Sequence, residues 1–388
     1  MVDAFARLSQ SPYGLRVPPR VNFDAASGLA LRPAAREALL AALEDGWADP
    51  GRLYGSARRA RQLLDGARAS VATSLGCRPD EVAFTPNATA ARYAGVRGLA
   101  AGRARVGRVV VHSAVEHSAT LHACRELDAR SVPVSRTGAV DAAAFAAALS
   151  PDTALACLIA ASHEVGTRQP VTAVAVACAA AGVPLLVDAA ATAGWDPVPT
   201  TWDALVADAP SWGGPAGVGV LAVRTGVRFG AAYPDDEHEG GRVPGPVALP
   251  QVLAAAVALE AALAEQESVA ARLRALVDRV RTGVAAIPDV EVVGDGTDRL
   301  PHVVTFSCLY VEGERLVQRL DAAGFEVSSG SSCTSSALEP SHVLVAMGAL
   351  THGNVRVSLP PATTEDDVTR FLAVLASEVA SLRAEAGL

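Results

Sequence analysis

A cysteine set among serines is the first place where this sequence could do chemistry. The run is Ser328-Ser329-Gly330-Ser331-Ser332-Cys333-Thr334-Ser335-Ser336, continued by Ala337-Leu338-Glu339-Pro340-Ser341-His342. A Ser/Gly-rich loop just ahead of a helix is exposed and mobile, and helix-terminal N–H groups favour thiolate, the nucleophilic form of the side chain. Taken alone, a single cysteine is more often a small packing residue. A second set of polar side chains follows directly on apolar runs: Asn87-Ala88-Thr89, His117, Ser162-His163-Glu164, Asp188, and residues 208–214 beginning with Asp208. One residue type is missing. All 33 residues counted as Lys or Arg are arginine, so chemistry that needs a lysine Schiff base or a lysine general base is excluded for this chain alone. A coding bias toward Ala, Gly and Arg makes lysine rare but does not easily make it absent.

The elements that must hold these groups can be read from periodicity. Residues 81–85, 108–112, 153–160, 184–188, 204–208 and 218–223 are short apolar runs bounded by turn residues, as buried strands are. Helices are expected between them, at 117–129 and 171–181, and from a Ser56 cap through Leu63, Leu64, Ala67, Val71 and Leu75 to a stop at Gly76. Alternating β and α with continuous apolar strands predicts a mostly parallel sheet covered on both faces. Ligands of such sheets sit beyond the carboxyl ends of the strands, which gathers the polar groups into one cleft. After Pro250 the pattern changes to a long helix (251–285), strands at 291–293, 303–307 and 355–359, and helices at 315–323 and 365–384. The expected division is a large α/β unit over 20–248 and a smaller α/β unit over 249–388, joined by 1–19 and carrying the cysteine loop. Pro244-Gly245-Pro246 is the hinge.

Composition sets outer bounds. The 388 residues are 50% hydrophobic and 19% charged, which suits a globular chain with a sizeable core and excludes disorder. A net charge of −8 argues against a nucleic-acid or anionic-membrane binder; Arg58, Arg59 and Arg61 form only a small cluster of the kind usually solvated. The six cysteines (77, 124, 157, 178, 308 and 333) contain no CxxC pair, so neither a zinc ribbon nor a disulfide framework is expected, and no other metal site is read. Residues 1–19 lack the apolar run of a signal peptide, and Gly182, Pro184 and Asp188 interrupt the most apolar stretch, so no membrane span is expected. A cytoplasmic location is the default.

The serine-flanked Cys333 string closely resembles the active-cysteine loop of cysteine desulfurases, pyridoxal-phosphate enzymes of the class V aminotransferase family with fold type I. In them that cysteine takes sulfur from substrate cysteine as a persulfide. The resemblance spans roughly residues 20–378. Asp24-Ala25-Ala26 looks like the family's Asp-Asn-Ala-Ala element without its Asn. Phe84-Thr85-Pro86-Asn87-Ala88-Thr89 is similar to the turn whose helix N-terminus cradles the cofactor phosphate. His117 matches the histidine that stacks on the pyridine ring, and Asp188 the carboxylate that pairs with the pyridinium nitrogen. Arg356, in Gly353-Asn354-Val355-Arg356-Val357-Ser358, matches the arginine that forks onto the substrate α-carboxylate.

The departures bear on function. The family's Ser-x-His-Lys before a Gly-Pro-x-Gly turn falls on Asp208-Ala209-Pro210-Ser211, with Gly214, Pro215 and Gly217 fixing the register. Ser211 thus stands where the lysine belongs, and a hydroxyl cannot form an internal aldimine. Asp208 replaces a phosphate-binding serine, and Pro210 replaces the histidine beside the lysine. His163 replaces an asparagine ahead of Glu164-Val165-Gly166, Ala191 a glutamine, and Gly245-Pro246 a Gly-Thr that reaches a phosphate across the dimer. The expectation is a desulfurase-like protein without autonomous catalysis, in which Cys333 is a sulfur-accepting or partner-contacting thiol. Pyridoxal phosphate is implied by resemblance only, not as a lysine Schiff base, and no cofactor at all is the other outcome. The chain is expected to form a dimer, with itself or with a lysine-bearing paralogue, and to meet a sulfur-acceptor protein. Two alternatives stay open. One is noncovalent pyridoxal phosphate, or its amino-acid aldimine, between His117 and Asp188 with His163 titrating near neutral pH as general base. The other is thiol chemistry on a different ligand in a pocket lined by Trp212, His163 and Asp208, with His163 or His342 as base.

Overall fold

The computed structural model describes residues 20–45, 48–230, 236–329 and 340–387; the Cys333 loop, residues 330–339, lies outside the described residues. In chain order the first part contains β1 (Val21–Asn22), α1 (Pro33–Glu44), α2 (Gly55–Leu75), β2 (Val82–Thr85), α3 (Ala88–Gly102), β3 (Val109–Ser113), α4 (Ser118–Ala123), β4 (Asp128–Val132), α5 (Ala142–Ala148), β5 (Thr153–Ile159), α6 (Val171–Ala181), β6 (Leu185–Asp188), β7 (Ala204–Asp208) and β8 (Gly219–Val223). Strands β2–β8 form the expected sheet, in the order β2-β8-β7-β6-β5-β3-β4. Strand β8 runs antiparallel to both its neighbours and every other pairing is parallel. The carboxyl ends of β2, β3, β5, β6 and β7 therefore meet at one edge.

The six strands read from the sequence match within a residue at each end because they are buried on both faces, and continuous apolar runs record that. Alternation along them splits the core. Val109, Val111, Leu158, Leu185 and Val187 face α2 and the first half of the long helix, whereas Val110, Leu155, Leu186 and Val206 face α3. Two readings need correction. The helix expected at 117–129 ends at Ala123, and residues 128–132 become edge strand β4; four of its five residues are exposed, so no apolar signal marks it. Helix α2 starts at Gly55 without a side-chain cap, so Ser56 does not cap it; Leu63 lies 38% exposed, whereas Leu64, Ala67, Val71 and Leu75 are buried and Gly76 ends the helix at φ 67°.

The second part comprises α7 (Leu249–Ala285), β9 (Val290–Val293), β10 (Val303–Cys308), α8 (Gly313–Ala322), β11 (Phe325–Glu326), α9 (His342–Met347), β12 (Asn354–Ser358) and α10 (Glu365–Glu385). Strands β12-β10-β9 make an antiparallel sheet, and β1 pairs in parallel with β11. Phe23 stacks near Phe325 and Phe371, with centroids 5.8 and 5.4 Å away, so residues 21–25, assigned above to the large unit, pack with the small one. At 1.5 Å per residue, the 37 residues of α7 extend about 55 Å, enough to serve both cores. Val252, Leu259 and Ala262 are buried in the first, Leu273, Val277 and Val284 in the second. Among the described residues, no helix is long and apolar enough to cross a membrane.

Candidate functional site

The start of α3 lies at the strand-end edge. Asn87 caps it, its side chain accepting the Ala90 N–H at 2.8 Å, and Thr85 Oγ1 donates to the Asn87 carbonyl at 2.8 Å. Gly219 on β8 lets the turn lie close, since a Cβ there would fall 2.4 Å from the Asn87 carbonyl carbon. Strand alternation puts Asp208, the last residue of β7, on the α3 face, where its Oδ1 accepts the Ala88 N–H at 3.2 Å. Burial raises the Asp208 carboxyl above its ordinary range, against the lowering influence of Arg92 and the Ala88 N–H. The carboxylate is thus the anion at this helix N-terminus. Thr89 is exposed.

The same alternation places Asp188, the end of β6, beneath α3. Arg92 reaches it with Nε to Oδ2 at 2.6 Å and Nη2 to Oδ1 at 3.2 Å, and the Ala190 N–H also donates to Oδ1 at 3.1 Å. Both partners are buried, Arg92 6% and Asp188 3% exposed. This fork-on-carboxylate pair is charge-assisted and shut from water. Arg92 was not foreseen; the helix Ala88–Gly102 carries two arginines, Arg92 and Arg97, and only the fold shows that Arg92 is the buried one.

His117 caps α4, its Nδ1 accepting the Ala119 N–H at 3.0 Å, and its ring lies 4.8 Å from that of His163 at 43°. Burial first, then Arg92, pushes His117 down to about 3. Burial and then His117, Arg356 and Arg92 push His163 well below the ordinary imidazole value, and its Nδ1 is enclosed without a partner. The expectation that His163 titrates near neutral pH is therefore corrected: two facing imidazoles beside two guanidiniums stay neutral.

Arg356, the central residue of the small sheet's edge strand β12, is 2% exposed. Its Nη2 donates to Asp24 Oδ1 and to Ser27 Oγ, both at 2.7 Å, and Nη1 to the His163 carbonyl at 3.3 Å. Its backbone pairs with Ser328, at the near end of the cysteine loop. At the far end, His342 Nε2 lies 2.9 Å from the Glu116 carbonyl, and Glu164 bonds to the Ser341 side chain. Burial raises Glu164 to about 7, opposed by that bond and by Arg356. Glu116 is fully buried; Oε1 accepts the Ile159 N–H at 2.7 Å and Oε2 has no partner. Glu116 and Asp24 also escaped the sequence reading as site groups. Both flanks of the Cys333 loop are therefore tied to the cleft.

Ser211 sits in one turn of 3-10 helix, Ala209–Trp212, anchored by the buried Trp212 indole donating to the Ala255 carbonyl at 3.0 Å. It lines a small enclosed space with Arg32, Trp195 and Gln266, and no hydrogen bond among the described residues links it to His117, His163 or Asp188. Trp212, offered in one alternative as lining a reshaped pocket with His163 and Asp208, is 1% exposed in the core and borders the Ser211 space, which neither His163 nor Asp208 lines. These residues do not fit a lysine-anchored pyridoxal phosphate. The amine is absent, Asp188 is already neutralised by Arg92, and a carboxylate takes the first helix N–H where a phosphate would need it.

A family model described as aminotransferase class-V matches residues 21–371. A cysteine desulfurase of Cereibacter sphaeroides is 36% identical over 380 residues, covering 94% of this chain and 97% of its own length. A cysteine desulfurase IscS of Dictyoglomus turgidum is 32% identical over 375 residues, covering 94% and 95%. Among solved structures, a NifS-like protein matches with a TM-score of 0.87 at 26% identity, covering 93% of this chain and 99% of that one.

Proposed function

We propose, since this chain belongs to the aminotransferase class V family and is cysteine desulfurase-like, that it performs no pyridoxal-phosphate catalysis of its own and works as a sulfur-relay or partner subunit. The observation that carries this reading is Ser211 at the lysine's place in a chain with no lysine anywhere. The buried Arg92–Asp188 pair and the carboxylate at the start of α3 support it, because they remove the two charge recognitions that would hold the cofactor without a covalent tether. Retention of the serine-flanked Cys333 string supports a thiol role. In that role the Cys333 thiolate attacks the outer sulfur of a donor persulfide, the donor's S–S bond breaks, and the donor leaves as thiolate. Two electrons stay with the leaving sulfur and no external oxidant is needed.

The chain is proposed to dimerise, with itself or with a lysine-bearing relative, and to hand sulfur to an acceptor protein. The purified chain is expected to show no aldimine absorbance and, supplied with pyridoxal phosphate and cysteine, to release neither sulfide nor alanine above a protein-free control. Mixed with a lysine-bearing desulfurase loaded with sulfur, it is expected to gain 32 Da on the Cys333 peptide by mass spectrometry, and the Cys333→Ser variant is not. Turnover by the chain alone refutes the reading.

A further inference from the structure

Five of the charged groups at the cleft are partnered within the chain. Asp188 is matched by Arg92 at 2.6 Å, Arg356 by Asp24 at 2.7 Å, and Asp208 by the Ala88 N–H at 3.2 Å. Arg92, Asp188 and Arg356 are each at least nine-tenths buried. We propose that the cleft is closed by the chain's own charges: Arg92 occupies the carboxylate that would receive a protonated ring, Asp208 the helix start that would receive a phosphate, and Asp24 the guanidinium that would receive a carboxylate. Arg92 is the determinant that excludes a cationic ring.

The physical argument is one of exchange. A ligand carrying a pyridinium, a phosphate and a carboxylate gains affinity where it replaces water on unpaired groups. Here it must displace formed charge-assisted bonds: Arg92 would be left buried without its partner, and the half-buried Asp24 and Asp208 would lose theirs. A phosphate dianion would also meet the Asp208 carboxylate, a like-charge contact that disfavours the complex. The coenzyme therefore has no foothold even as a noncovalent ligand. The self-pairing also ties the strand ends of the large sheet to α3, and the small-sheet strand β12 to residues 24–27 and the His163 carbonyl.

This inference rests on the proposed function only for the location of the cleft, and it fails separately from it. The test is titration of the whole chain with pyridoxal phosphate at millimolar concentration, read by calorimetry and by thermal midpoint. The absence of lysine removes side-chain aldimines as background. The wild-type chain is expected to give no saturable binding and no rise in midpoint. The Arg92→Asn/Asp208→Ser double variant is expected to bind saturably, at least tenfold tighter than wild type, with a rise in midpoint. Saturable binding by wild type overturns the inference while leaving the non-catalytic reading intact, as does a folded double variant that binds no better. Should the double variant not fold, Asp208→Ser alone decides: inorganic phosphate is expected to raise its midpoint and not that of wild type, and equal responses overturn the proposal.

Discussion

At the scale of single residues, burial rather than identity sets what the cleft groups do. Glu164 is chemically an ordinary glutamate, yet enclosure beside Ser341 raises its carboxyl to about 7. A raised carboxyl stabilises the fold fully below its ordinary value of 4.5, and that contribution is lost as pH rises through about 7. The Glu164→Gln variant keeps the shape and removes the charge. It is therefore expected to match wild type near pH 4 and to exceed it at pH 8 by on the order of 3 kcal/mol, read by urea denaturation at the two pH values. An equal gain at both pH values would assign the effect to packing. His163 teaches the same point with opposite sign. The residue was legible as a site group, but its neutrality follows from burial first, and then from His117 and two arginines, an environment that only the fold assembles.

At the scale of elements, α7 is the member whose role the sequence understated. The composition change at 244–246 is real, but it precedes a helix whose first half is buried in one core and second half in the other. Leu259→Ala and Leu276→Ala, at sites 1% and 5% exposed, are each expected to cost about 2–5 kcal/mol. Because the helix is continuous, each loss should appear as one shifted urea transition, with Trp fluorescence and far-ultraviolet circular dichroism coinciding. Two separated transitions for Leu276→Ala would show that the units melt independently. Strand β4 is the opposite case, an element lost to sequence reading because an exposed edge leaves only Val132 to mark it. Helix 171–181 was read to the residue because Gly182, at φ 63°, stops it.

At the scale of the whole molecule, the cleft and the contact between the two cores share a dependence on acid. Trp195, from the loop after β6, stacks on His302, just ahead of β10, with centroids 3.7 Å apart at 11°. Burial pushes His302 to about 3, as it does His117, and pushes His163 lower than its ordinary value as well. A depressed histidine supports the fold fully above its ordinary 6.5 and loses that support as pH falls toward the folded value. Glu164 and Glu116, both raised, act in the opposite sense until about pH 4.5, below which they are protonated folded or unfolded. The expected profile is a shallow decline from pH 6.5 to 4.5 and a steep one below it. His302→Gln should flatten the steep limb by up to about 1.4 kcal/mol per pH unit, measured by thermal midpoint against pH. An unchanged steep limb in that variant would remove His302 from the account.

The sequence by itself determined the large sheet, the polar residues at its strand ends and the missing amine. Apolar periodicity, turn residues and residue chemistry are local properties that a linear reading retains. The tertiary structure alone decided what those polar residues face. Arg92 lies 96 positions before Asp188, and Asp24 lies 332 positions before Arg356, yet each pair forms one buried contact. Charge pairing and desolvation depend on distance through space, which strand order and helix packing fix and which spacing along the chain does not record.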